Sequence, residues 1–134
     1  MRSDTQSVMI QAATEAVVQF VGDGANLPRW AIGFAKSVEP RGDEWVVTTG
    51  SGDRVPTRVV VNAAAGTVDF VMSPAPGVEG WAWSRAVAAE QGSWFSFTQV
   101  QSPGMPDAVF DAQVAAVGHE LVALKALLEV ACPL

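Results

Sequence analysis

Along the last quarter of the chain the apolar residues recur with a helical step. Phe110, Val114, Val117, Leu121, Leu124 and Leu128 are separated by four, three, four, three and four positions. At about 100° per residue they fall within one arc about 80° wide. The spacing predicts a single long helix over 106 to about 130, with Pro106 or Asp107 suited to its first turn. Upstream the period drops to two. Strands are expected over 8–12, 34–39, 44–49, 55–62, 67–72, 80–87 and 93–101. Between the first and second of these, Thr14 stands as an N-cap before a short helix over 15–20. Gly22, Gly24 and Asn26 break that helix, and Leu27-Pro28-Arg29-Trp30 reads as a second short helix or a turn.

The punctuation agrees with this division. Pro40-Arg41-Gly42-Asp43 and Ser51-Gly52-Asp53 carry strong turn chemistry, and Pro74, Pro76 and Gly77 mark a loop. No linker or internal repeat divides the 134 residues, so one domain over 1–134 is expected. The class is α+β with an antiparallel sheet. One long helix at the end of a strand-rich chain needs a large concave partner to bury its apolar face. The expected arrangement is a curved sheet gripping the helix, with room between them for a ligand.

Period two assigns faces. In 80–87, Trp81, Trp83, Arg85 and Val87 share one side and Gly80, Ala82, Ser84 and Ala86 the other. In 93–101, Ser93, Phe95, Phe97 and Gln99 share a side opposite Trp94. The bulky sets are assigned to the side facing the helix. That makes Arg85 the sharpest polar candidate in a cavity. Its guanidinium would bind a carboxylate, phenolate or enolate oxygen, or else pair with Asp69. Ser93 and Gln99 are further candidates for orienting a ligand.

The stretch from Ile10 to Trp30, IQAATEAVVQFVGDGANLPRW, resembles the opening of START-like proteins, the polyketide cyclase/SRPBCC group of the Bet v 1-like superfamily. GTVDF (Gly66 to Phe70) and SPGMPDAVFDAQVAAVGHELVALKALLE (Ser102 to Glu129) are similar to the later strand and closing helix of that family. The resemblance covers essentially the whole chain and includes no catalytic signature. It implies a helix-grip fold, a seven-stranded antiparallel sheet around the C-terminal helix with two short helices after the first strand. It also implies an internal cavity for hydrophobic small molecules. Family members include lipid carriers, hormone binders and aromatase/cyclases, so the fold does not separate enzyme from carrier.

Composition narrows the function classes. The net charge is −6 and only two lysines are present, so no basic stripe awaits nucleic acid or an anionic membrane. No apolar run approaches the roughly 18 residues of a membrane span. Asp4 interrupts any signal-peptide start, and the lone Cys132 suits a reducing compartment, so a cytoplasmic location is expected. One Cys and one His cannot build a zinc site, and the glycines of Gly22-Asp23-Gly24 and Gly50-Ser51-Gly52 make no phosphate loop. No metal or other cofactor is therefore expected. His119 lies about 180° from Phe110 on the helical wheel and should face solvent, which removes the obvious general base. Glu15, Glu39, Glu44, Asp53 and Glu120 read as a solvated set at turns and helix flanks.

The ligand-contacting set expected from sequence is Trp30, Phe34, Trp45, Phe70, Trp81, Trp83, Arg85, Phe95, Phe97, Val117 and Leu121. The leading reading is binding of a lipid-, polyketide- or steroid-like molecule in an internal cavity. A cyclase or aromatase using the same cavity, and a protein-interaction module built around Trp94 or the loop from Ser73 to Gly77, stay open beside it. Homodimerisation is open as well.

Overall fold

The computed structural model describes all 134 residues. The elements run β1 (Ser3–Ile10), α1 (Thr14–Val21), a 3-10 turn (Gly24–Asn26), α2 (Leu27–Trp30), β2 (Ser37–Arg41), β3 (Glu44–Thr48), β4 (Arg54–Asn62), β5 (Thr67–Ala75), β6 (Val78–Ala89), β7 (Gly92–Val100) and α3 (Asp107–Ala131). All seven strands join one antiparallel sheet in the order β1-β7-β6-β5-β4-β3-β2. The chain closes the sheet by laying its last strand beside its first. This is the expected α+β helix-grip architecture.

Local chemistry fixes the connections. The β2–β3 hairpin pairs Arg41 with Glu44, leaving Gly42-Asp43 as a two-residue turn with Gly42 at φ 62°. The β6–β7 hairpin pairs Ala89 with Gly92 around Glu90-Gln91. Several boundaries differ from expectation. β1 begins at Ser3, because Ser3 to Ile10 pairs residue for residue with β7. Its polar alternation, SDTQSVMI, hides it from a hydrophobicity reading. Phe34 lies before β2, in the segment that leaves α2. β5 runs on through Pro74, with an irregular register between Met72 and Ala75. Thr14 is the first residue of α1, and Ala13 holds the cap position with no side-chain cap bond.

α3 is tied along β1. The Gln6 amide donates to the Val114 carbonyl at 2.9 Å, and Lys125 Nζ donates to the Met9 carbonyl at 2.7 Å. At one end Arg2 pairs with Asp111 at 2.7 Å and lies over the Phe110 ring. At the other, the Gln11 N–H donates to Glu129 at 2.8 Å, where Lys125 holds the carboxyl below the usual range. The helix therefore has a fixed rotation. Phe110, Val117, Leu121, Leu124 and Leu128 are buried, and Val114 is half-buried. Val117, Leu121, Leu124 and Leu128 join Ile10, Phe70, Ala82, Ala86 and Phe95 of the sheet and Val17, Val21 and Trp30 of the short helices in one core.

The face assignment of β6 is reversed. Ala82, Ser84 and Ala86 are buried, whereas Trp81, Trp83, Arg85 and Val87 are on the outer, convex face and exposed. The reason is packing distance. α1 rests on β5, β6 and β7 from the concave side. Small side chains on β6 let that helix approach, and large ones would hold it off. The buried Ser84 hydroxyl is satisfied within the sheet, donating to the Val68 carbonyl of β5 at 2.6 Å. For β7 the expected facing holds: Ser93, Phe95 and Gln99 are buried and Trp94 is 54% exposed.

Candidate functional site: a cavity between the sheet, α2 and α3

A cavity of about 260 Å³ lies where α2 and the segment after it meet the concave sheet and α3. Leu27, Trp30, Ala31, Gly33 and Phe34 form one wall. Phe70, Met72, Ala82, Phe97 and Gln99 come from the strands, and Ala116, Val117 and Glu120 from α3. The volume sits just under the usual small-molecule range of about 300–1,000 Å³. Three rings form an aromatic cluster at its wall. Trp30, Phe70 and Phe97 stand 6.2 to 6.4 Å apart, centroid to centroid, in tilted and edge-on arrangements. That spacing is the favoured range for aromatic pairs and leaves apolar faces for a flat ligand.

Six of the eleven residues expected to contact ligand border this cavity: Trp30, Phe34, Phe70, Trp81, Phe97 and Val117. Trp81 does so as one of three successive residues, Gly80 to Ala82, which pair with Met72 to Phe70 just before the register of β5 becomes irregular. Phe95 and Leu121 are buried in the closed core away from the cavity. Trp45 packs its ring against Gly24 of the 3-10 turn, where any added Cβ would collide with it. Trp83 stacks on Trp81 at 6.1 Å on the convex face. Arg85 is on that face too, so the cavity role expected for it is corrected by the outward face of β6. It makes no ion pair with Asp69; the ion pairs of this chain use Arg2, Arg41, Arg54 and Lys125. Ser93 spends its hydroxyl on the Ala12 carbonyl at 2.7 Å, fixing the entry to α1.

The residue that sequence reading missed is Glu120. It was expected at the surface, yet it is 6% exposed and borders the cavity. Its wheel position lies about 40° beyond Leu124, at the margin of the apolar arc. The signal that could have found it is the Gly33-Phe34 segment opposite, which offers two backbone donors. Glu120 Oε2 accepts the Gly33 N–H at 3.1 Å, and the Phe34 N–H also supports the carboxyl. Burial outweighs these two bonds and pushes the pKa up to about 7. No other titratable side chain borders the cavity.

Two residues of the cavity wall each carry an enclosed polar atom. Trp30 Nε1 and Gln99 Nε2 are buried donors with no hydrogen-bond partner. Leaving such a donor unsatisfied costs about 1–3 kcal/mol. Both residues border the cavity. Elsewhere, His119 is exposed, as expected, and no group of three or more His, Cys, Asp or Glu side chains converges anywhere in the molecule. No helix is long and apolar enough to cross a membrane.

Solved structures share this architecture. The protein XoxI from Bacillus cereus superposes with a TM-score of 0.78 at 19% identity, over 95% of each chain. A START superfamily protein from Mycobacterium smegmatis gives 0.70 at 15% identity, over 96% of this chain and 97% of its own. The di-domain ARO/CYC protein BexL gives 0.72 at 20% identity; 98% of this chain matches 48% of BexL, about half of that protein. No protein-family model and no curated protein matches the sequence. With its sheet order, its two short helices after β1 and its gripped α3, the chain has the START-like, Bet v 1-like helix-grip fold.

Proposed function

We propose that this chain is a cytoplasmic binding protein for an apolar or aromatic small molecule held in the cavity between the sheet, α2 and α3. The carrying observation is the cavity itself, bordered mainly by apolar side chains and by the Trp30, Phe70 and Phe97 rings. Removing a ligand's apolar surface from water drives binding at about 25 cal/mol per Å², before the costs of ordering. The structural likeness to a START superfamily protein supports this reading. Extraction of the purified protein with organic solvent, followed by mass spectrometry, tests it. A small molecule recovered in stoichiometric amount from the wild type, and lost when Phe97 is changed to a charged residue, is the expected result.

A second reading is favoured by one observation. Glu120 is a buried carboxyl poised near neutrality inside the cavity. The same cavity could then act as a cyclase or aromatase, holding a flexible polyketide-like chain in a reactive geometry. The likeness to one half of a di-domain ARO/CYC protein is consistent with it.

A further inference from the structure

Glu120 is 6% exposed and is the one titratable side chain that borders the cavity. Its two oxygens differ. Oε2 accepts the Gly33 N–H at 3.1 Å. The Phe34 N–H supports the carboxyl from nearby but spends its own bond on the Ala31 carbonyl at 3.0 Å. That leaves Oε1 without a hydrogen bond. The enclosed side-chain atoms of this molecule that lack a partner are Trp30 Nε1 and Gln99 Nε2, and Oε1 is not among them. Oε1 therefore keeps accessible surface, and the space beside the residue is the cavity. The Trp30, Phe70 and Phe97 rings stand in the same wall.

We propose that the cavity selects a cationic arylalkylamine, its ammonium paired with Glu120 and its ring laid against Trp30, Phe70 and Phe97. This rests on the small-molecule reading given above and deepens it. An ionised carboxylate in apolar surroundings needs an opposite charge, and the protein supplies none. Arg29, Lys36 and His119 are the charged or titratable side chains on α2, on the segment after it and beside Glu120 on α3, and all three are exposed. None of them borders the cavity, nor does any charged residue of the strands. No charged group is among the causes that set the Glu120 pKa. An ammonium fills that gap with a charge-assisted bond, and an aromatic face adds attraction for it. A carboxylate ligand would meet Glu120 as a like charge. The net charge of −6 also draws cations rather than anions toward the chain.

The test is a set of four naphthalenes that differ only in the group at one ring position. The groups are aminomethyl, its neutral isostere ethyl, hydroxymethyl and carboxylate. Binding to the intact protein is read by calorimetry between mildly acidic and mildly basic pH. At the basic end the amine should bind about ten-fold tighter than the ethyl compound, the increment of one hydrogen bond to a charged group. The alkylammonium keeps its charge over this range, whereas Glu120 ionises near a pKa of about 7. The advantage of the amine should therefore shrink as pH falls, while the ethyl and hydroxymethyl compounds bind alike throughout. Glu120→Gln keeps an acceptor for the Gly33 N–H and removes the charge. It should erase both the advantage of the amine and its pH dependence. Equal binding of amine and ethyl compound to the wild type overturns the inference and leaves the apolar cavity standing. A preference for the amine that survives in Glu120→Gln, or that ignores pH, also overturns it, as does tightest binding by the hydroxymethyl or carboxylate compound. Failure of all four to bind removes the small-molecule reading, and this inference with it.

Discussion

Glu120 Oε2 accepts the backbone N–H of Gly33 across 3.1 Å, joining α3 to the segment that leaves α2. The bond ties two walls of the cavity together and places a carboxyl in apolar surroundings. Its pKa of about 7 arises first from burial, which the Gly33 and Phe34 N–H groups only partly offset. No charged side chain contributes, since His119 beside it faces solvent and no other titratable group borders the cavity.

This relationship gives a pH dependence with a definite sign. The folded protein holds the Glu120 proton more tightly than the unfolded chain does. Stability from this group is therefore fully present below about 4.5 and is lost as pH rises through about 7. The loss amounts to about 3 kcal/mol at most. Urea unfolding of wild type and Glu120→Gln from pH 5 to 8 measures it. The wild type should lose stability relative to the variant across that window, and parallel curves would show the carboxyl to be ordinary.

Gly33 makes the same contact sterically demanding. A Cβ built there would stand 2.8 Å from the Ala116 Cβ of α3. Neither backbone can yield freely, so Gly33→Ala should destabilise by about 1–3 kcal/mol through overpacking. Gly33→Ala combined with Ala116→Gly should recover most of that loss in thermal unfolding. An unaffected single variant would show that the segment after α2 is loosely held.

The rotation of α3 is tested by two neighbours on it. Leu121 is 4% exposed and His119 is on the solvent side. Leu121→Ala should cost about 2–5 kcal/mol. His119→Ala should change stability by less than about 0.5 kcal/mol. Chemical denaturation of both separates them.

The two faces of β6 yield a contrast in binding. Trp83 is 38% exposed on the convex face, whereas Phe97 borders the cavity. Trp83→Ala should leave the affinity for an apolar probe unchanged. Phe97→Ala should change it at least several-fold, because it reshapes the wall the ligand touches. A loss confined to Trp83→Ala would move the binding surface to the outside of the sheet.

Sequence carried the fold further than it carried the site. The arc from Phe110 to Leu128 is one continuous amphipathic signal, and α3 follows it nearly residue for residue. The turn at Gly42-Asp43 was legible for the same reason: its chemistry is local. The facing of β6 was not. Period two separates Trp81 and Trp83 from Ala82 and Ser84 but cannot say which set turns inward. That choice depends on α1, which is distant in sequence and demands small neighbours. Glu120 was hidden similarly. A carboxyl at the edge of an apolar arc reads as surface until the Gly33 and Phe34 donors are brought opposite it.

The central claim is that the space between the sheet, α2 and α3 is a binding cavity. It is tested most directly by titrating the protein with the neutral probe N-phenylnaphthylamine while following its fluorescence. Wild type is compared with Ala82→Phe, which puts a ring onto an inward position of the cavity wall. Circular dichroism confirms that the variant is folded. The expected result is saturable binding of one probe per wild-type chain, abolished in folded Ala82→Phe. Saturable binding that survives unchanged in the folded variant, or none in the wild type, would contradict the account.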